Sequence, residues 1–482
     1  MPDSIRKEFQ RALEFQKAGR LDNAEDAYLT ILIKQPNHSS ALHNMGVILA
    51  QKHKQQEAIG YFDRAIVALP DYAEAFNNKG SALLALGKID QAVASYKQSL
   101  KIRPDYWEAE LNLANTLMKM NEQRKALDVY AKLLKIDPHN YSATFNAGLA
   151  NLALGKLDNA QQCFFKTMIM RQSEQHPIFD QKYYCYTTKA KLLHDVEQFR
   201  YLSKIGSNEI DFDTIADKYE KLISEINWKK TSRSIVELTE KEQLRIAESY
   251  NRSLHISNLP KFYNGVVNPL LETKRISQQY NKSTPNLAYF DHFLTKDALI
   301  NLRKFMLGST IWYDFFHIDG QLAAYLENGL ANPLLYKIAH DIKTLLPEIF
   351  GNLPLTQVWA FKNLYGNQGI DLHADSGAVS LNFWITPDEA NLGTGQGGLL
   401  INETPPPQNW KLNNYYKDAK LIEEYLYKTG GKTQSIPYRE NRAVIFKSEL
   451  FHKSDVVNFK SGYKNHRINI TMIFGYGDLN LS

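Results

Sequence analysis

Small and apolar residues in the first third of the chain recur at a fixed interval. Ala24, Ala58, Ala92, Ala126 and Ala160 are each separated by 34 residues, as are Tyr28, Phe62, Tyr96, Tyr130 and Phe164. Pro36, Pro70, Pro104 and Pro138 keep the same step, and so do Gly46, Gly80 and Gly148, with Ala114 in that place in the fourth copy. Helices that end before each proline and touch closely at the small positions are the expected result. From about 175 to 280 the period is lost. Segments such as "FDTIADKYEKLISEI" and "TEKEQLRIAESYNRSL" still carry apolar residues at three and four spacing, which predicts amphipathic helices. After Pro285, "LAYFDHFLTKDALINLRKFM" reads as a strand followed by a helix. "NPLLYKIAHDIKTLL" adds a helix, and alternating runs follow: "VWAFKNLY", "VSLNFWIT", "GGLLI", "RAVIFKS" and "RINITMIFGYG". Their period of two predicts an antiparallel β sandwich or barrel.

The repeat resembles the tetratricopeptide repeat family, with five copies assigned to residues 1–174. The resemblance implies pairs of antiparallel helices that cannot bury their faces alone and therefore stack into a curved solenoid with a concave groove. Asn44, Asn78, Asn112 and Asn146 also recur at 34, while the first copy has Gln10 there. The row is similar to the asparagine ladder lining peptide-binding repeat superhelices such as that of the O-linked N-acetylglucosamine transferase. A carboxamide both donates and accepts, so it suits the peptide groups of an extended chain. Local capping or hydrogen bonding within the repeats accounts equally for the row.

Composition narrows the partners. A chain of 482 residues with 44% hydrophobic content can bury more than one core. The balance of 57 basic and 52 acidic residues gives +5, too little over this length to argue for nucleic acid or an anionic membrane. No window approaches the roughly 20 apolar residues of a membrane helix, and the start "MPDSIRKEFQRALEFQKAG" lacks a leader pattern. A soluble protein is expected. Cys163 and Cys185 stand far from other cysteines and from histidine pairs, so neither a disulfide framework nor a zinc site is expected, which fits the cytoplasm.

The candidate chemistry lies in the β-reading region. His373-Ala374-Asp375 heads the run "VSLNFWIT", and a second His-x-Asp occurs at His317-Ile318-Asp319. In an extended strand, residues i and i+2 point the same way, so His373 and Asp375 could share a cation. His452, at the end of "RAVIFKSELFHKSD", supplies a third ligand. Two imidazoles and one carboxylate form the facial triad of non-heme Fe(II) oxygenases. Downstream, Arg467, Asn469 and Thr471 alternate with Ile468, Ile470, Met472 and Phe474. If the apolar set faces a core between sheets, the polar set faces solvent or a barrel interior. An inward Arg467 would meet a carboxylate through two parallel charged hydrogen bonds. His317 and Asp319 precede a helix instead of entering the sheet, and read as a structural or rim feature.

The order His-x-Asp, distal His, then Arg on the last strand resembles the 2-oxoglutarate- and Fe(II)-dependent oxygenases, nearest their prolyl 4-hydroxylase-like branch, over residues 285–482. The entry segment "YFDHFLTKDAL" and Tyr365 fit that branch. The resemblance implies a multidomain chain: an all-α tetratricopeptide solenoid (1–174), a helical bridge (175–284) and a double-stranded β-helix, or jelly-roll, domain with flanking helices (285–482). It implies Fe(II) held by His373, Asp375 and His452, with 2-oxoglutarate and O2 as co-substrates. Arg467 with Tyr365 would pair with the far carboxylate of 2-oxoglutarate, and Asn382 and Asn469 would face the co-substrate. An intact Asp375 favours hydroxylation over halogenation. The expected function is a dioxygenase hydroxylating a protein or peptide side chain brought by the repeat groove. Two alternatives stand: a small-metabolite hydroxylase with the repeats as scaffold, and a repeat-based binding protein with an inactive oxygenase domain.

The segment 402–440, long for a connection, contains Trp410, Tyr415, Tyr416, Tyr425 and Tyr427, aromatics that favour packed surfaces. It reads as a lid or substrate-recognition insert, or as an extra packed helix. "LGTGQGG" (392–398) lacks the lysine of a phosphate loop and reads as a tight turn.

Overall fold

The computed structural model describes residues 3–172, 182–206, 210–228, 235–283, 285–317, 320–364, 370–407, 410 and 418–476. It divides into two compact units, the first ending at Ala150 and the second beginning at Asn151.

The first unit is a run of helices: α1 (Asp3–Lys17), α2 (Leu21–Lys34), α3 (Ser39–Gln51), α4 (Gln55–Ala68), α5 (Ala73–Ala85), α6 (Ile89–Ile102), α7 (Trp107–Lys119) and α8 (Gln123–Ile136), with α9 (Tyr141–Ala153) crossing into the next unit. Each of α2, α4, α6 and α8 stops two residues short of its proline, as the missing N–H and the ring demand. Ala24, Ala58, Ala92 and Ala126 are wholly buried, and so are Tyr28, Phe62 and Tyr130. The glycines are seats for these rings: a Cβ on Gly46 would lie 2.6 Å from Phe62, and one on Gly80 would lie 2.7 Å from Tyr96. The turn inside each helix pair uses a left-handed residue at the same 34-residue step, Gly19, His53, Gly87, Asn121 and Gly155. Helix α10 (Leu157–Gln172) keeps the period but lies in the second unit, where Gln161 Nε2 donates to Ala331 O at 3.2 Å and Phe164 packs on Tyr336.

The second unit carries nine strands that concern the site: β1 (Leu287–Phe290), β2 (Gln321–Tyr325), β3 (Leu355–Asn363), β4 (Val379–Trp384), β5 (Leu399–Asn402), β6 (Thr433–Ile436), β7 (Ala443–Lys447), β8 (His452–Ser454) and β9 (Arg467–Phe474). A six-stranded sheet runs β1-β7-β4-β9-β3-β2 and a three-stranded sheet runs β8-β5-β6, with every pair antiparallel. Neither closes into a barrel among the described residues. A core of Leu287, Trp384, Val444 and Phe446 from the large sheet and Leu399, Ile401 and Ile436 from the small one fills the space between them. Each such side chain contributes roughly 1.5–3 kcal/mol by burial.

Of the two facings open to the polar set of β9, solvent or interior, the structure has the interior one. All eight residues of β9 are buried. Arg467, Asn469 and Thr471 face the small sheet, while the apolar set faces helices behind the large one, as the Phe474–Phe350 ring contact at 4.7 Å shows. Alternation in a strand covered on both sides specifies parity, and the polar residues here are the inner set because they meet polar partners there. The same outer face bears Lys362, opposite Ile468 in the ladder. Its Nζ donates to His194 Nε2 at 3.1 Å, and this buried pair ties helix Lys189–Lys204 to the sheet. The segment 402–440 is not wholly an insertion, because it contains β6, which completes the small sheet.

Candidate metal centre

His373, Asp375 and His452 come together with their ligand atoms within 4.8 Å of one another. Asp375 Oδ1 lies 3.7 Å from His373 Nε2, and Oδ2 lies 3.6 Å from His452 Nε2. Neither His373 nor Asp375 sits in a regular strand, contrary to the expectation of an i, i+2 strand pair. His373 makes a single antiparallel bridge to His452, its N donating to His452 O at 3.0 Å and its O accepting from His452 N at 2.8 Å. The chain then turns through 375–378. Asp375 N donates to Ser448 O at 2.9 Å, and Gly377 passes so close to Ile473 that a Cβ would lie 2.0 Å from Cγ2. Only glycine fits this close approach, and the regular strand begins beyond it at Val379.

Both imidazoles are oriented by backbone carbonyls. His373 Nδ1 donates to Asp371 O at 2.7 Å and His452 Nδ1 to Leu450 O at 2.9 Å, so Nε2 is the nitrogen that each ring turns to the centre. Burial, reinforced by the neighbouring His373, pushes the His452 pKa down to about 4 against the pull of Asp375 and the Leu450 carbonyl. A neutral His452 is the form that binds a cation. Two imidazole nitrogens and a carboxyl group on one side of a small space are the donor set that fits a divalent transition ion.

The adjoining cavity is lined by Trp359, Ile370, Asn382, Leu399, Ser454, Asn469 and Thr471 besides the three ligands. Asn382 donates through Nδ2 to Thr471 Oγ1 at 2.9 Å, and its Oδ1 has no partner among the described residues. Arg467 stands behind this wall. Its Nη1 donates to Asn363 Oδ1 at 3.2 Å and Asn469 Oδ1 at 3.0 Å, Nε to Gly397 O at 2.7 Å, and Nη2 to Gly398 O at 3.4 Å. Burial lowers its pKa to about 10, leaving it charged at neutral pH. The tight turn at 392–398 thus seats the arginine. A Cβ on Gly398 would lie 1.9 Å from Ile436 O, so only glycine fits there. Tyr365, Tyr415, Tyr416 and Asp319 lie outside the described residues. His317 is engaged elsewhere, 3.1 Å from Tyr325 Oη and 3.3 Å from Asp314 Oδ2.

Sequence reasoning missed Ser448, Ser454 and Trp359. The run "VWAFKNLY" put Trp359 on a strand, but only the pairing of Thr471 with Trp359 places it over the site. The helix Ala419–Thr429 packs on the ligand-bearing segments: Ile422 is fully buried against Ala374 and Phe451, ringed by Leu372, Trp410 and Tyr425. It therefore supports the centre from outside, while Tyr427 points to solvent.

In the repeat array, the asparagine row is part of a hydrogen-bonded chain. Tyr28 donates to Gln16 at 3.0 Å, Asn44 to Tyr28 at 2.9 Å, His43 to Asn44 at 3.1 Å, and Asn78 to His43 at 2.8 Å. Asn77 then donates to Asn78 at 3.3 Å and Asn112 to Asn77 at 3.0 Å, while Asn146 donates to Asn115 at 2.8 Å. Burial lowers the His43 pKa and keeps it in the neutral form that accepts at Nε2. Every asparagine of the row holds a neighbour, and each keeps unused donor or acceptor capacity.

A family model described as "Tetratricopeptide repeat" matches residues 9–73 and 111–163, and one described as "TPR repeat" matches residues 80–121. The amino-terminal array is built of tetratricopeptide repeats. Such repeats are protein-binding modules. Among solved structures, the crystal structure of MamA is similar at 25% identity, covering 33% of this chain and 94% of that one at a TM-score of 0.32. YrrB, a TPR protein with an unusual peptide-binding site, is 19% identical, covering 35% of this chain and 86% of that one at a TM-score of 0.31. An O-GlcNAc transferase from Thermobaculum terrenum is 25% identical, covering 28% of this chain and 27% of that one at 0.27. No curated protein matches the chain. Among the described residues, no helix is long and apolar enough to cross a membrane.

Proposed function

We propose that the second unit is a 2-oxoglutarate- and Fe(II)-dependent hydroxylase of jelly-roll fold, acting on a protein or peptide side chain that the tetratricopeptide array recruits. The observation that carries this reading is the convergence of His373, Asp375 and His452 with both Nε2 atoms free and both Nδ1 protons committed to carbonyls. The jelly-roll assignment is supported by the way the chain passes between the sheets: β3, the bridge at His373, β4, β5 with β6, β7, β8, then β9.

The three side chains would hold the iron, which supplies activation of O2 coupled to oxidation of 2-oxoglutarate to succinate and carbon dioxide. The protein contributes placement. Asn382, Asn469, Thr471 and Ser454 give the cavity a polar wall for an acid, and Arg467 polarises Asn469 from behind while adding a buried positive charge. Trp359, Ile370 and Leu399 close the apolar side and limit water. The remaining capacity of the asparagine row, with the groove of the array, offers an extended peptide its partners.

The test is to incubate the full chain with Fe(II), 2-oxoglutarate, O2 and a cell extract, measuring succinate and searching extract peptides for an added oxygen that depends on 2-oxoglutarate. Succinate formation with such a modified peptide is expected. Absence of succinate under all these conditions sinks the enzyme reading. Modification of small metabolites alone would replace the protein substrate and leave the array as a scaffold.

A further inference from the structure

Asp375 is gripped by two serines that no part of the reading above uses. Ser380 Oγ donates to Asp375 Oδ2 at 2.8 Å, and Ser380 Oγ lies 2.8 Å from Ser448 Oγ. Both serines are completely buried. The proton directions follow from chemistry: a carboxylate only accepts, so the one Ser380 proton goes to Asp375, and Ser448 must donate to Ser380. Ser448 also clasps the turn through its backbone. Its O accepts from Asp375 N at 2.9 Å, and its N donates to Ala378 O at 3.2 Å. Four residues beyond Ser448 stands His452, so the same turn holds the carboxylate ligand and leads into the distal histidine.

We infer that the Ser448–Ser380 hydroxyl relay is a positioning device that binds one oxygen of Asp375 and so makes the carboxylate a one-oxygen metal ligand. This rests on the assignment of His373, Asp375 and His452 as the metal site. Oδ2, 3.6 Å from His452 Nε2, carries the Ser380 proton, which competes with a cation for its electron density and leaves Oδ1, 3.7 Å from His373 Nε2, as the stronger donor to the cation. A carboxylate free to swing would use both oxygens and take up a position that the facial arrangement reserves for co-substrate or O2. Side chains that hydrogen-bond a metal ligand typically govern affinity by 10- to 100-fold, which sets the expected size.

The experiment titrates Co(II) into the full-length apoprotein and into Ser380→Ala and Ser448→Ala, reading affinity and the visible ligand-field spectrum. Ser380→Ala is expected to bind 10- to 100-fold more weakly, with an altered spectrum as the carboxylate changes its mode. Ser448→Ala, which leaves the Ser380 bond but removes what orients it, is expected to show a smaller loss with a change in the same direction. A merely structural serine would lower the melting temperature without moving the spectrum. Should Ser380→Ala fail to fold, Ser448→Ala decides alone. Binding within twofold of wild type together with an unchanged spectrum overturns the inference. If instead His373→Ala binds Co(II) as tightly as wild type, the metal-site reading itself fails, an outcome distinct from failure of the relay.

Discussion

The array and the β unit are built on opposite principles. In the array a few demands recur every 34 residues, such as a buried alanine, a ring against a glycine and a left-handed turn, and each is met by residues of one repeat or its neighbour. The candidate metal centre draws on His373–Asp375, Ser380–Asn382, Ser448–His452 and Arg467–Thr471, and each contact occurs once. Damage to the array should therefore be graded and local, whereas damage to the centre should be all or none. The largest expected effect tests the second half of that contrast. His452→Ala is expected to reduce bound Fe(II) from about one per chain to near none and to abolish succinate formation, because two ligands rarely hold a non-heme ion. Its far-UV circular dichroism should stay unchanged. Metal analysis after gel filtration reads this directly, and equal iron in the variant and wild type would remove the centre from its place in the comparison.

Next in size is the apolar seat shared by the ligand segments. Phe451 is wholly buried between Ile422, Ala374 and Trp410, one residue before His452. Phe451→Ala should cost about 3–5 kcal/mol of stability in the β unit and weaken metal binding with it. In a denaturant titration with iron present and absent, that unit should unfold earlier while the array keeps its midpoint. A shared shift of both units would show that they unfold as one body and blur the contrast drawn above.

The two regions also differ in how much of them could be read in advance. The helix pairs of the array were evident because residue identities repeat, yet the left-handed turn at 19, 53, 87, 121 and 155 was not, since Gly, His, Gly, Asn and Gly satisfy one backbone demand with three residue types. In the β unit, alternation located β3, β4, β5, β7 and β9. It leaves the polar set of β9 either inward or in solvent, and the inward facing taken for Arg467 is the observed one, with helices covering the apolar face. The strand β6, "TQSI", has no apolar alternation, so nothing in its own residues separates it from the rest of 402–440. Residue type and order single out His373, Asp375, His452 and Arg467, and the fold brings the first three together. They do not single out what surrounds these residues, because the acceptors of Arg467 at Gly397 and Gly398 and the relay from Ser448 exist only through pairings between distant segments. His373 and Asp375 share one side without a regular strand, because His373 is held by an isolated bridge to His452 and the strand starts only at Val379.

A smaller effect probes the repeat seats. A Cβ on Gly80 would lie 2.7 Å from a Tyr96 carbon, so Gly80→Ala demands movement of a buried ring and should cost in the usual overpacking range of about 1–3 kcal/mol. The fourth repeat argues for the low end: Ala114 already occupies the equivalent place, wholly buried, and Tyr130 beside it is wholly buried too. The backbone pair can evidently separate enough for a methyl group. Chemical denaturation of Gly80→Ala and of the reverse change, Ala114→Gly, measures both directions. A loss well above 3 kcal/mol at Gly80 would mean that the repeats are less interchangeable than their period implies.

The smallest expected effect is a gain. His53 adopts φ 61° and Asn121 φ 60° at the turn position where Gly19, Gly87 and Gly155 sit at φ 70–76°. Left-handed backbone costs a side chain with a Cβ about 1–2 kcal/mol, less for asparagine, whose short polar side chain tolerates it. Glycine avoids that strain but gives back roughly 0.5–1 kcal/mol of unfolded-chain entropy. His53→Gly should therefore stabilise the array by up to about 1 kcal/mol, and Asn121→Gly should be close to neutral. Thermal unfolding of the two variants side by side gives the difference with the repeat context nearly constant. If His53→Gly destabilises instead, its imidazole makes a contribution to the turn that outweighs backbone strain, and even the most repetitive part of the chain would contain a position defined by its own residue and not by the period.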